Sequence, residues 1–255
     1  MNTLSRTERS LLPSLLRISA LLGVLFALPA VAFATAVNMT GASHFLADEW
    51  VAPASGAVTA LQFDTAWQGD LAGAITQIDA RLYNHDPTLF PGLSSLPTGG
   101  PGSQVWSMSF PAASLSITTP STVPSQAWID NWAGQWLPGD HTNMMTIGIS
   151  GLASGPSVVA GNTYWLALNA TVSPLVAGQN PLLGWNAQTW NMTDGAVYEA
   201  SNAFGWRYSS LTDPALSHGI PSFHNLAFSL TVPEPAPLTL LAMAALGSVW
   251  LGRRR

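Results

Sequence analysis

Cysteine is missing from all 255 residues. Disulfides, thiolate catalysis and cysteine-ligated zinc are therefore excluded. Lysine is missing too, and charged residues make up only 8% of the chain. Of the eight arginines, Arg6, Arg9 and Arg17 lie near the start and Arg253, Arg254 and Arg255 at the end. Only Arg81 and Arg207 lie between them. The stretch from Thr35 to Val232 sets eleven carboxylates against those two arginines, a formal charge of −9. Nucleic-acid binding needs clustered basic residues, so that partner class is excluded, and anionic lipid surfaces with it. With so few charges, the surface must draw its polarity from Ser, Thr, Asn, Gln and Gly.

What is present begins with the two ends. Arg6, Arg9 and Arg17 form a positive region, Ile18 to Leu28 an apolar run, and Pro29 breaks it. Ala32-Phe33-Ala34 is a small-x-small cleavage site, with Ala34-Thr35-Ala36 as the alternative. This pattern predicts a secretory leader over residues 1–34. At the other end, Pro233, Pro235 and Pro237 fix φ and remove donors, so Val232 to Pro237 should be extended. Leu238 to Leu251 is uncharged. As a helix it would reach roughly 21 Å at about 1.5 Å per residue, short of a hydrocarbon core about 30 Å thick. Arg253, Arg254 and Arg255 would hold its end on the cytoplasmic side.

The Val-Pro-Glu-Pro box, the short apolar helix and the arginine cluster, in that order from Val232 to Arg255, resemble the PEP-CTERM sorting signal of Gram-negative bacteria. The resemblance implies that Pro233, Glu234 and Pro235 are recognised by an exosortase, a membrane-embedded transpeptidase-like protease. It implies a precursor held transiently in the inner membrane. It further implies a mature form at the cell surface or in the extracellular matrix of species that make exopolysaccharide.

Between the ends lie 198 residues, one domain by length. Period-two alternation recurs between turn clusters: Val58–Phe63, Ile78–Tyr83, Gln104–Phe110, Met145–Ile149, Thr163–Leu168 and His224–Val232. In Ile78–Tyr83 the spacing puts Ile78, Ala80 and Leu82 on one face and Asp79, Arg81 and Tyr83 on the other. In the last run Leu226, Phe228, Leu230 and Val232 share a face. Ser125–Leu137 offers a turn or two of helix instead, with Trp128, Trp132 and Trp136 at helical spacing. Many short strands with Gly/Pro turns predict an all-β fold, a jelly-roll-like β-sandwich. It is flanked by the leader and the short C-terminal hydrophobic helix. The run Val159–Leu168, a later Gly-Trp and a final strand leading into Val-Pro-Glu-Pro resemble the β-rich choice-of-anchor ectodomains, which have no generally assigned activity, so the resemblance implies architecture and no chemistry.

Ten of the eleven tryptophans fall within Thr35–Val232. An indole can stack on a sugar ring while neighbouring Asn, Asp and Gln take hydroxyls. The segments holding Trp128, Trp132 and Trp136, and Trp185 and Trp190, supply both groups and are candidate glycan sites. The alternative is that these indoles fill the core. Asp79 with Asp86, or Asp130 with Asp140, could be the paired carboxylates of a glycosidase, but nothing in the spacing selects a pair. The five histidines lack metal-ligand spacing. Asp140-His141 are neighbours whose side chains should point to opposite faces of a strand. Calcium could be held by loop carboxylates among Asp64, Asp70, Asp140 with Asn143, and Asp194. No catalytic residue, metal or other cofactor is assigned. The reading is a sorted surface or matrix protein without enzymatic activity. Its partners are the exosortase, the secretion machinery and, at its destination, exopolysaccharide. The rivals are a carbohydrate-binding module and a glycoside hydrolase.

Overall fold

The computed structural model describes residues 35–41, 45–89, 99–152, 154–190, 197–199, 206–208 and 224–233. The expected leader over 1–34, including Ala32 and Ala34, lies outside them. So does the tail from Glu234 through Arg253, Arg254 and Arg255. Among the described residues the chain is all-β, with two short 3-10 turns at Gln68–Asp70 and Ala112–Ser114. No described helix is long and apolar enough to cross a membrane.

The strands, in chain order, are β1 (Thr35–Asn38), β2 (Leu46–Val51), β3 (Gly56–Ala57), β4 (Ala60–Trp67), β5 (Gly73–Asp86), β6 (Gly100–Pro111), β7 (Ser116–Ile117) and β8 (Ser121–Asp130). They continue with β9 (Gln135–Ser150), β10 (Ser157–Val158), β11 (Thr163–Pro174), β12 (Leu183–Trp190), β13 (Val197–Glu199), β14 (Trp206–Tyr208), β15 (His224–Leu226) and β16 (Phe228–Thr231). They form two large sheets and a two-stranded β10–β3 sheet. The first runs β15-β12-β1-β8-β9-β4-β16, with β7 on β9; the second runs β14-β13-β2-β11-β5-β6.

The first sheet also closes on itself. Besides pairing with β1, β12 pairs with β4 through Leu183↔Trp67, Gly184↔Ala66 and Trp185↔Thr65. Strands β12, β1, β8, β9 and β4 therefore complete a ring. The β1–β8 contact within it is parallel. Inside lie Ala36, Ala66 and Trp128, packed with Leu137, Met144 and Leu182. Gly184 makes this possible. A Cβ there would stand 2.6 Å from Trp128 Cζ3 and 3.0 Å from the Ala36 Cβ, so only glycine lets the indole lie against the strand.

The main core draws on both large sheets. Val37, Phe63, Ile129, Ile147 and Trp185 come from the first, and Leu46, Ile78, Leu82, Leu166 and Leu168 from the second. The alternation read in Ile78–Tyr83 is kept, since Ile78, Ala80 and Leu82 are buried on the core side. β5 and β9 outrun their apolar segments because their ladders continue on β6, β11, β4 and β8 beyond the core. A second cluster, Phe45, Ala47, Tyr83, Trp165, Ala167 and Val197, with Trp206 packed on it, covers part of the outer face of the second sheet.

Two segments differ from the sequence expectation. Ser125–Leu137 does not turn helical: β8 and β9 form a hairpin pairing Trp128↔Leu137, Ile129↔Trp136 and Asp130↔Gln135. The Asp130 carboxylate accepts from the backbone N–H of Trp132 (3.0 Å) and Ala133 (2.9 Å). Gly134 then supplies the positive φ (64°) that ends the turn. Side-chain capping of the turn thus replaces helical hydrogen bonds. His224–Val232 is two strands, not one. Ala227 is the fork: its N–H donates to Asn186 (2.7 Å), and its carbonyl accepts from Asp64 (3.1 Å). β15 lies on β12 before the fork, and β16 on β4 after it.

Candidate functional site

The tryptophans divide by burial. Trp128 and Trp185 are 0% exposed, which corrects their candidacy as glycan platforms. Trp128 fills the ring. Trp185 donates from Nε1 to the Ala227 carbonyl (3.0 Å) and meets the edges of Phe63 and Phe228 at 6.0 and 5.5 Å between ring centres. Trp132 is half-buried; its Nε1 donates to the Glu199 carbonyl (3.3 Å) and its ring meets Tyr198 edge-on. Trp136 is half-buried against the main core. The hairpin separates the three indoles that helical spacing would have aligned. The side chain of Trp190 lies outside the described residues.

The carboxylates are committed locally. Asp70, held at φ 56°, accepts from Thr142 N (2.9 Å), Thr142 Oγ1 (2.8 Å) and Asn143 N (3.0 Å). Burial pushes its pKa up, but these donors outweigh it and hold the carboxyl below the ordinary 3.8. In return Asp140 accepts from Gly69 N (2.8 Å). The Gln68–Asp70 turn and β9 thus clasp each other. Asp64 accepts from Thr146 Oγ1 (2.7 Å), and Asp86 from the N–H and hydroxyl of Thr88, which lower its pKa. Asp130 also accepts from Asn38 Nδ2 (2.9 Å). The suggested calcium donors Asp64, Asp70 and Asp140 are therefore spoken for by donors of this chain. Asn143 enters as a donor to Asp70, through its backbone N–H and its side chain, and Asp194 lies outside the described residues. Among the described residues no three metal-ligating side chains converge. Asp79 with Asp86 and Asp130 with Asp140 engage separate partners.

Asp140 and His141 do meet, contrary to the opposite-face expectation: Asp140 Oδ2 lies 3.4 Å from His141 Nδ1. That is an ion-pair distance without hydrogen-bond alignment, since Nδ1 has no hydrogen-bond partner. His141 Nε2 contacts Gln126 Oε1 (3.3 Å). As Gln126 Nε2 donates to Met144 Sδ, Oε1 is the accepting end and Nε2–H the donor. The imidazole is 0% exposed and edge-on to Trp128. Burial lowers its pKa below 6.5, against the pull of Asp140 and Asp70.

The open site is on the outer face of the second sheet, where sequence reasoning had offered only Asp79, as half of a carboxylate pair. Register sets it out in rungs. Ser109, Asp79 and Asn169 face one another across β6, β5 and β11, followed by Ser107, Arg81 and Ala167. All of these except Ala167, together with Thr171, line a cavity of about 530 Å³, inside the ~300–1,000 Å³ range of small-molecule sites. Asp79 accepts from Gln77 Nε2 (2.8 Å) and from the Ser109 hydroxyl. The Arg81 guanidinium lies 3.6 Å from the centre of the Phe45 ring and 3.6 Å from Glu199 Oε2. It also donates to Tyr83 Oη (3.4 Å). Burial pushes the Tyr83 phenol up, against the pull of Arg81. That Asp79 and Arg81 point outward was legible from alternation. Which strands flank them was not.

A profile described as a domain of unknown function, DUF7901, matches residues 29–231. The chain belongs to the DUF7901 family. The DUF7901 match takes in every strand from β1 to β16 and both faces of the second sheet. No curated protein and no solved structure matches the chain.

Proposed function

We propose that this DUF7901 chain is an exported surface or matrix protein without enzymatic activity, sorted through its Pro-Glu-Pro tail. In this reading residues 35–232 are a jelly-roll-like β-sandwich ectodomain. The observation that carries it is where the last described strand ends. β16 ends at Thr231, Val232 packs on the main core and Pro233 is exposed. The family match ends at 231 as well. A processing box that begins two residues past this strand is reachable without unfolding the domain.

The other end supports the same reading. β1 begins at Thr35, directly after Ala34. A cut after Ala36 would instead remove residues paired with Ala127, Trp128 and Asn186. The shared core of the two large sheets supports a sandwich, with the ring as an elaboration of one sheet. The non-enzymatic reading draws support from the carboxylates: Asp130 caps a turn, Asp70 and Asp140 clasp β9, and Asp86 caps Thr88.

Replacing Pro233, Glu234 and Pro235 by alanine tests the proposal in a host with an exosortase. An uncleaved precursor should stay in the inner membrane, while wild type is released with Thr35 at its N-terminus. Release of the triple variant at wild-type mass would overturn the sorting reading.

A further inference from the structure

We infer that the groove over β5, β6 and β11 binds a neutral polyhydroxylated ligand, a run of uncharged sugar units in a polysaccharide. This goes beyond the sorting reading and does not depend on tail processing.

The lattice of the sheet comes first. Outward side chains on adjacent strands lie about 4.8 Å apart, and successive rungs about 6.7 Å apart. Ser107, Ser109, Asp79, Arg81, Asn169 and Thr171 occupy such points around one cavity. Hydroxyls, a carboxylate and a guanidinium thus alternate donors with acceptors on the scale of a sugar ring's own hydroxyls, while the buried Asn169 amide donates to the Met39 and Gly41 carbonyls (3.3 and 2.8 Å) and braces the groove floor.

Charge then selects the ligand. Asp79, Arg81 and Glu199 give the neighbourhood a formal charge of −1, and the guanidinium is matched by Glu199 while resting on Phe45. An anion would meet net negative charge, in a stretch that is strongly acidic overall. A metal ion would find, among the described residues, one carboxylate on the cavity wall. A neutral ligand meets neither obstacle. Its hydroxyls can donate to Asp79 and accept from Arg81 without displacing the ion pair, because a guanidinium carries five donors.

The charged groups are also held in place. Asp79 is fixed by Gln77 and Ser109, and Arg81 by Phe45, Glu199 and Tyr83. Locked side chains lower the ordering cost of binding. This glycan surface lies on polar rungs of the second sheet, apart from the buried Trp128 and Trp185.

The test is affinity electrophoresis of the full chain in mild detergent, through native gels containing glucan, mannan or galactan, with alginate as the acidic polymer. At least one neutral gel should retard the protein and alginate should not. Ser107→Trp, on an exposed edge position, should block the groove and weaken retardation at least tenfold, with an unchanged melting temperature. Asp79→Asn should weaken it at least fivefold. It provides a second arm if the bulkier variant misfolds. Absence of retardation in all three neutral gels overturns the inference. So does retardation by alginate alone, or full binding by both variants. None of these outcomes bears on the sorting reading, which is read from precursor processing.

Discussion

Replacing Trp185 by phenylalanine separates its two possible roles, since a stacking platform would lose binding and a core residue would lose stability. The indole is 0% exposed and packs between Phe63 and Phe228. Full truncation of such a residue costs about 3–5 kcal/mol. Phenylalanine keeps most of the ring contacts and forfeits a fraction of that, on the order of 1 kcal/mol. It also loses the Nε1 bond to the Ala227 carbonyl. That carbonyl still accepts from Asp64 N, so it is not stranded. The net loss is therefore about 1 kcal/mol, not the larger penalty of an orphaned group. The total is about 2 kcal/mol, or roughly 4–8 °C in melting temperature for a domain of this size. Calorimetry or circular dichroism on wild type and Trp185→Phe reads it directly. A shift under 1 °C would refute the placement of Trp185 in the core.

Gly184→Ala drives a methyl into Trp128 and Ala36 and should cost about 1–3 kcal/mol as overpacking; an unchanged urea midpoint would contradict the ring. His141 has a folded pKa below its unfolded 6.5, so the unfolded state binds more protons as pH falls. Stability should therefore drop below about pH 6.5, by up to ~1.4 kcal/mol per pH unit. Denaturation at pH 7.5 and 5.5 should show a smaller drop for His141→Gln; equal drops would count against the buried neutral imidazole. Asp70→Asn tolerates the positive φ yet loses the charge on the clasp, at about 1 kcal/mol after allowing for partial exposure. Because the folded pKa of Asp70 lies below 3.8, its contribution is present above that pH and lost beneath it. The variant should show a shallower stability loss between pH 4 and 2.5, and an identical acid profile would dismiss the clasp.

Strand positions were legible where one face is buried and the other wet: Ile78, Ala80 and Leu82 against Asp79 and Arg81 is that case. The Trp128-Trp132-Trp136 spacing misled because a hairpin with a four-residue turn also sets tryptophans at four-residue intervals. The deciding interaction was a side-chain cap by Asp130, which periodicity does not register. The groove was illegible for another reason. Ser109, Asp79 and Asn169 are brought side by side only by ladder register, and register between strands so far apart in the chain leaves no local trace. The ring depends on one glycine, Gly184, whose role becomes visible only with the indole beside it.

The fork at Ala227 has a consequence in time. Thr59 and Thr231 are hydrogen-bonded across 172 positions, and β4 lacks its last partner until that loop closes. Closure over such a span is entropically costly and slow. A chain read as crossing a membrane as a thread gains from this delay, because no prefix that stops short of β16 completes the first sheet. In the proposed sorting reading the final strand and the tail leave the channel together, so the first sheet is completed as the Pro-Glu-Pro box arrives outside.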